Sequence, residues 1–120
     1  MRAALPVLLA GLMIAQAAQA QGLTPEAQGR RLVERHCAAC HAVGERGASA
    51  EPAAPPFREL YKRYEVENLA EALSEGLLVG HPQMPEFRFA PEQVDAIIRY
   101  LRTLQPKQAA QGAAAGETGR

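Results

Sequence analysis

Apolar residues recur at helical spacing most clearly near the end of the chain. In "PEQVDAIIRYLRTLQ", Val94, Ile97, Ile98, Leu101 and Leu104 share one face, while Arg99 and Arg102 point away from it. That stripe predicts an amphipathic helix. Pro91 and Glu92 suit its first turn and Pro106 ends it, but Ala90 is a poor cap. A second helix is expected to start at Thr24. Its hydroxyl is a good N-cap, Pro25 fits the first helical position, and Glu26 faces the positive end of the dipole. Ala27, Leu32, Val33 and His36 form a modest stripe there, interrupted by Gly29. A glycine inside a helix costs up to about 1 kcal/mol relative to alanine. Gly29 is therefore either merely tolerated or kept for a close approach by another backbone. "VENLAEALSEG" sets Val66, Leu69, Ala70 and Leu73 at i, i+3, i+4 and i+7, a third helix that Gly76 can end.

The segments between lack a period. "AVGERGASAEPAAPPF", residues 42–57, reads as loop, "RELYKRY" offers a short helical turn, and "LLVGHPQMPEFRF" is an ordered loop with two prolines. No stretch alternates as a strand and nothing repeats, so the fold class is all-α.

The two ends read differently from the middle. Residues 1–20 carry one arginine, an apolar run from Ala3 to Ala15 and the small-residue site Ala18-Gln19-Ala20, the pattern of a secretory signal peptide cleaved before Gln21. The run is shorter than the ~20 residues of a membrane span, so export to the periplasm with no stable span after cleavage is the expectation. Residues 106–120, rich in Ala, Gly and Gln, are expected to be a disordered tail. Residues 21–105 remain as one small domain, a size at which a staple, metal or cofactor usually completes the core. Without Arg2 the chain from Gln21 to Arg120 has twelve basic residues against thirteen acidic, a net charge of −1. Such a balance gives no footprint for nucleic acid or an anionic membrane.

Both cysteines and two of the three histidines fall in "HCAACH", residues 36–41. A disulfide between residues three apart closes almost no loop and would leave His41 without a role. A thioredoxin-like redox pair expects a βαβ context, which is lacking, and a structural zinc site needs four ligands. Cys-x-x-Cys-His is the attachment sequence for c-type haem. Cys37 and Cys40 on one side of a turn can add to the two vinyl groups of a porphyrin, which places His41 under the iron as its proximal ligand. After signal removal Met84 is the sole thioether, set between Pro82 and Pro85. It is the expected sixth ligand, in the His/Met pairing of cytochromes c. His81 is its rival, and would give a two-histidine site of lower potential. His36 is expected to be a surface or packing residue.

With Cys37-Ala38-Ala39-Cys40-His41 and Met84 in place, the sequence resembles the class I monohaem c-type cytochromes, small bacterial members in particular. The likeness runs from Gly29 through Leu101. It implies a small cytochrome c fold in which the N- and C-terminal helices cross around one covalently bound haem c. The family has a glycine at the position of Gly29 and an apolar or aromatic residue at that of Val33, both packed on the C-terminal helix, where Tyr100 looks like the aromatic that meets them. It also has a proline whose carbonyl accepts a hydrogen bond from the proximal histidine; "APPF" offers Pro55 for this and Phe57 for the haem wall. Leu69, Leu73, Leu78 and Phe87 are further candidates to line the pocket. The chain departs from the family in having no tryptophan, which leaves Arg58, Tyr61, Tyr64 and Arg88 as candidate propionate partners. It also lacks the lysine ring of mitochondrial relatives.

The resemblance implies an electron carrier rather than an enzyme, exchanging electrons with redox partner proteins. Two other functions remain open at this point. One is a dedicated subunit of a periplasmic dehydrogenase or oxidase complex. The other is a ligand-binding or peroxidatic haem protein, which would need Met84 to be displaced.

Overall fold

The computed structural model describes residues 22–76 and 83–107. The signal segment 1–20, the tail beyond 107, and Leu78 and His81 lie outside the described residues. Helix α1 runs Pro25–His36 and α3 runs Pro91–Leu104, with the short α2, Leu69–Glu75, between them. Two 3-10 turns, Phe57–Lys62 and Val66–Asn68, complete the set, and there is no strand among the described residues. None of these helices is long and apolar enough to cross a membrane.

Helix α1 starts where Thr24 predicts: its Oγ1 accepts from the Ala27 N–H at 3.2 Å. Its most extensive contact is with α3. Gly29 lies at the crossing, where a Cβ would come within 2.5 Å of the Ala96 carbonyl carbon and 2.9 Å of the Tyr100 Cβ. Close approach, rather than tolerance, accounts for the glycine. Val33 and Leu101, 1% and 2% exposed, pack at the centre of the same core as Leu60, Val94, Ile97 and Ile98. Arg99 and Arg102 face outward as their spacing requires and pair with Asp95 and Glu67. Both pairs are well exposed, so they add little to stability.

Three local details differ from the pattern. Ala90 has no side-chain acceptor, yet its N–H donates to Gln93 Oε1 at 3.0 Å, so half a capping box offsets the poor cap. The helix expected from Val66 is divided: a 3-10 turn carries Val66 into the core, and α2 begins only at Leu69. Leu69, Ala70 and Leu73 are half-buried against the core rather than inside it. Gly76 ends α2 as predicted, at φ +74°.

Side chains at the far end of α3 tie the loops down. Gln105 Nε2 donates to the Phe57 and Leu101 carbonyls at 2.9 Å each, and its Oε1 accepts from the Tyr61 N–H at 3.1 Å. The Tyr100 hydroxyl donates to the Val43 carbonyl at 2.7 Å, which pins the segment just after His41 to α3. Tyr100→Phe removes that bond alone and is expected to cost about 1 kcal/mol in urea unfolding. An unchanged midpoint would mean water replaces the hydroxyl at no cost.

Candidate functional site

The end of α1 winds into the attachment sequence without a break. Cys37 N–H donates to the Val33 carbonyl at 2.9 Å, and the Cys40 and His41 N–H groups both donate to the Cys37 carbonyl, at 3.2 and 2.9 Å. Cys37, Cys40 and His41 thereby line one cleft together with Ala39, Pro55, Met84 and Phe87. Met84 arrives from a segment remote in sequence and is half-buried there. Glu51 is the one carboxylate among the lining residues.

The orientation of His41 follows from a single bond. Its Nδ1 lies 2.8 Å from the Pro55 carbonyl oxygen. A carbonyl oxygen can only accept, so Nδ1 carries a proton, and in the neutral imidazole the lone pair is then on Nε2. Pro56 follows Pro55 and biases it toward an extended backbone, which keeps that carbonyl out of any helix and free to accept. The Phe57 N–H closes the loop onto the Ala42 carbonyl at 2.9 Å, and the Phe57 ring packs on the imidazole at 4.9 Å between centroids. The bond and the ring packing fix the orientation of the imidazole and, in its neutral form, its tautomer, as a metal-binding imidazole requires.

The thiols argue against the competing chemistries. Both are free. Burial pushes the Cys37 thiol up to about 11, whereas a redox-active or metal-binding cysteine is activated by a lowered pKa. Among the described residues no group of three or more His, Cys, Asp and Glu is arranged to hold a metal ion.

The cleft holds about 180 Å³, less than the roughly 300–1,000 Å³ of pockets that enclose a whole small ligand. The residues fit haem c by their chemistry rather than by volume: two thiols three residues apart, an imidazole with a free lone pair, a thioether and a mainly apolar lining. Phe87 lines the cleft as expected. Phe57 instead sits behind the imidazole, and Leu69 and Leu73 face the core, so these three are not among its lining residues. Leu78 and His81 lie outside the described residues. His36 is exposed, and its ring packs against Phe87 and Phe89. Glu51 and the Gln105 clamp carry no local signal in the sequence, because their partners are set by tertiary contacts.

The family model described as Cytochrome c matches residues 26–105, two thirds of the chain. No curated protein and no solved structure matches it. That match spans the attachment sequence, the crossing helices and the Met84 segment, and the chain belongs to the cytochrome c family, whose members carry covalently attached haem c and transfer electrons.

Proposed function

We propose that this chain is an exported electron carrier with one haem c, held by Cys37 and Cys40 through thioether bonds and bound at its iron by His41 and Met84. The observation that carries the reading is the bond from His41 Nδ1 to the Pro55 carbonyl, which leaves Nε2 as the ring's only free donor atom in a cleft that both thiols and Met84 also line. Haem c, when bound, supplies an iron that passes one electron between its ferrous and ferric states. The protein's part is to hold and to insulate. Two cysteines make the attachment permanent, so export cannot strip the cofactor. His41 and Met84 would hold the iron between them, which would leave no place for a substrate and favour outer-sphere electron exchange over catalysis. A thioether ligand and apolar surroundings both favour the less charged ferrous state and raise the potential.

None of the four propionate candidates lines the cleft, and Arg58 is favoured among them by an unpartnered donor. Its Nη1 is buried with no hydrogen-bond partner among the described residues, on the residue that follows Phe57. A buried guanidinium donor gains most from a carboxylate. Arg88 already pairs with Glu86 at 3.4 Å, and Tyr61 and Tyr64 are about 40% exposed. Residues 1–20 support a periplasmic location. The exposed large apolar side chains among the described residues are Leu23, Tyr61 and Tyr64.

Protein made in cells competent for cytochrome maturation tests the reading. A reduced-minus-oxidised spectrum with the mass of the denatured chain is expected to show covalent haem and the loss of residues 1–20. Colourless protein with free thiols and the mass of bare peptide would overturn it. Met84→Ala is expected to abolish the weak red band that is the family's usual sign of a methionine–iron bond, and to open the iron to cyanide. A band that survives the substitution would remove Met84 from the iron. Tight cyanide binding by the wild-type protein at neutral pH would move the reading toward a peroxidatic protein.

A further inference from the structure

From Gln83 to Ala90 the segment that carries Met84 has no regular helix or strand. A backbone bond ties its far end to α2: the Phe89 N–H donates to the Leu73 carbonyl at 2.9 Å. A further anchorage is aromatic. Phe87 and Phe89 stack with centroids 5.6 Å apart and ring planes 22° apart. The His36 imidazole meets both nearly edge-on, at 5.9 Å and 67° from Phe87 and at 5.3 Å and 73° from Phe89. Rings at these separations and angles attract one another beyond simple burial. His36 is the last residue of α1 and directly precedes Cys37, while Phe87 lies three residues after Met84 and lines the cleft with it. The three rings therefore join the segment that bears the first attachment thiol to the segment that bears the sixth ligand.

We propose that His36 is a positioning residue for Met84, whose ring latches the ligand loop to the end of α1 and so keeps the thioether sulfur on the iron. The inference rests on the reading of Met84 as axial ligand. A ligand carried on a loop competes with outside ligands through the fraction of time it spends detached. Any contact that holds the loop closed lowers that fraction without touching the sulfur. A histidine that merely decorated the surface would leave ligand exchange unchanged.

The ferric holoprotein tests this with two readouts, the red band and the affinity for cyanide, in wild type, His36→Ala and His36→Phe. His36→Ala is expected to weaken the band and bind cyanide about tenfold more tightly, the size expected from losing two edge contacts. His36→Phe restores a ring edge and is expected to stay within about twofold of wild type. If His36→Ala gives no holoprotein, His36→Leu takes its place and is expected to group with it. A wild-type band left unmoved by His36→Ala, with unchanged cyanide affinity, overturns the latch alone. Equal impairment in His36→Phe also overturns it, because the imidazole's own chemistry rather than ring packing would then be responsible. A wild-type protein with no red band, binding cyanide as tightly as Met84→Ala, overturns the axial assignment and the latch together.

Discussion

Gly29→Ala is expected to destabilise the holoprotein by about 2–3 kcal/mol, against the ordinary direction of that substitution. In the middle of a helix, alanine normally gains up to about 1 kcal/mol over glycine, because it restricts the unfolded chain. Here the added methyl would be driven into the Ala96 carbonyl and onto the Tyr100 Cβ. Neither neighbour can give way cheaply. The first is backbone inside α3, and the second is the root of a side chain whose hydroxyl is already spent on Val43. The helices must separate, and with them the core around Val33 and Leu101. A loss of this size is a large part of the margin of so small a domain. Guanidinium unfolding of the holoprotein, followed by helical circular dichroism, measures it. The sign is diagnostic: an alanine variant as stable as wild type would mean that α1 and α3 do not cross at Gly29.

The cost of a glycine inside α1 was legible, but tolerance and close approach stood equally open until the family resemblance pointed to the crossing. Other features that depend on one residue and its near neighbours were legible outright. Thr24 and Pro25 start α1, Gly76 ends α2 in the left-handed conformation, and the face of Val94, Ile97, Ile98 and Leu101 is buried as its period requires. The attachment sequence was legible for the same reason, since Cys37, Cys40 and His41 sit on consecutive turns and their spacing is the signal. The Pro55 carbonyl was expected only through the family resemblance, and the structure places it 2.8 Å from His41 Nδ1. What escaped the sequence joins residues far apart. Gln105 reaches back to Phe57, Tyr100 to Val43, and His36 to Phe87 and Phe89, each across more than forty residues. No periodicity encodes such pairs. Phe57, which the resemblance implied for the haem wall, packs on His41 and is tied through its carbonyl to Gln105, a contact no local pattern signals.

The largest loss of all is expected at His41. His41→Ala should abolish stable holoprotein, and Cys37→Ala or Cys40→Ala should each lower its yield by about tenfold or more, read as covalent haem per chain after denaturation. A domain of this size has a thin core, and a cofactor bound only by the folded chain adds its binding free energy to folding. Losing one thiol leaves a single covalent tether, and heat or proteolysis can then act on chains that would otherwise be held closed. Losing His41 removes more. The iron loses its proximal donor, the Pro55 carbonyl loses the proton it accepts, and Phe57 loses the ring it packs on at 4.9 Å. Pro55→Ala separates these contributions, because the acceptor is backbone and survives the substitution. It should keep most of the holoprotein while loosening the extended segment around it. Full covalent loading in a cysteine variant, or coloured and stable protein from His41→Ala, would mean that the porphyrin is held by other residues. Loading that fell equally in Pro55→Ala and His41→Ala would instead place the weight on the proline's rigidity, with the imidazole bond as its consequence.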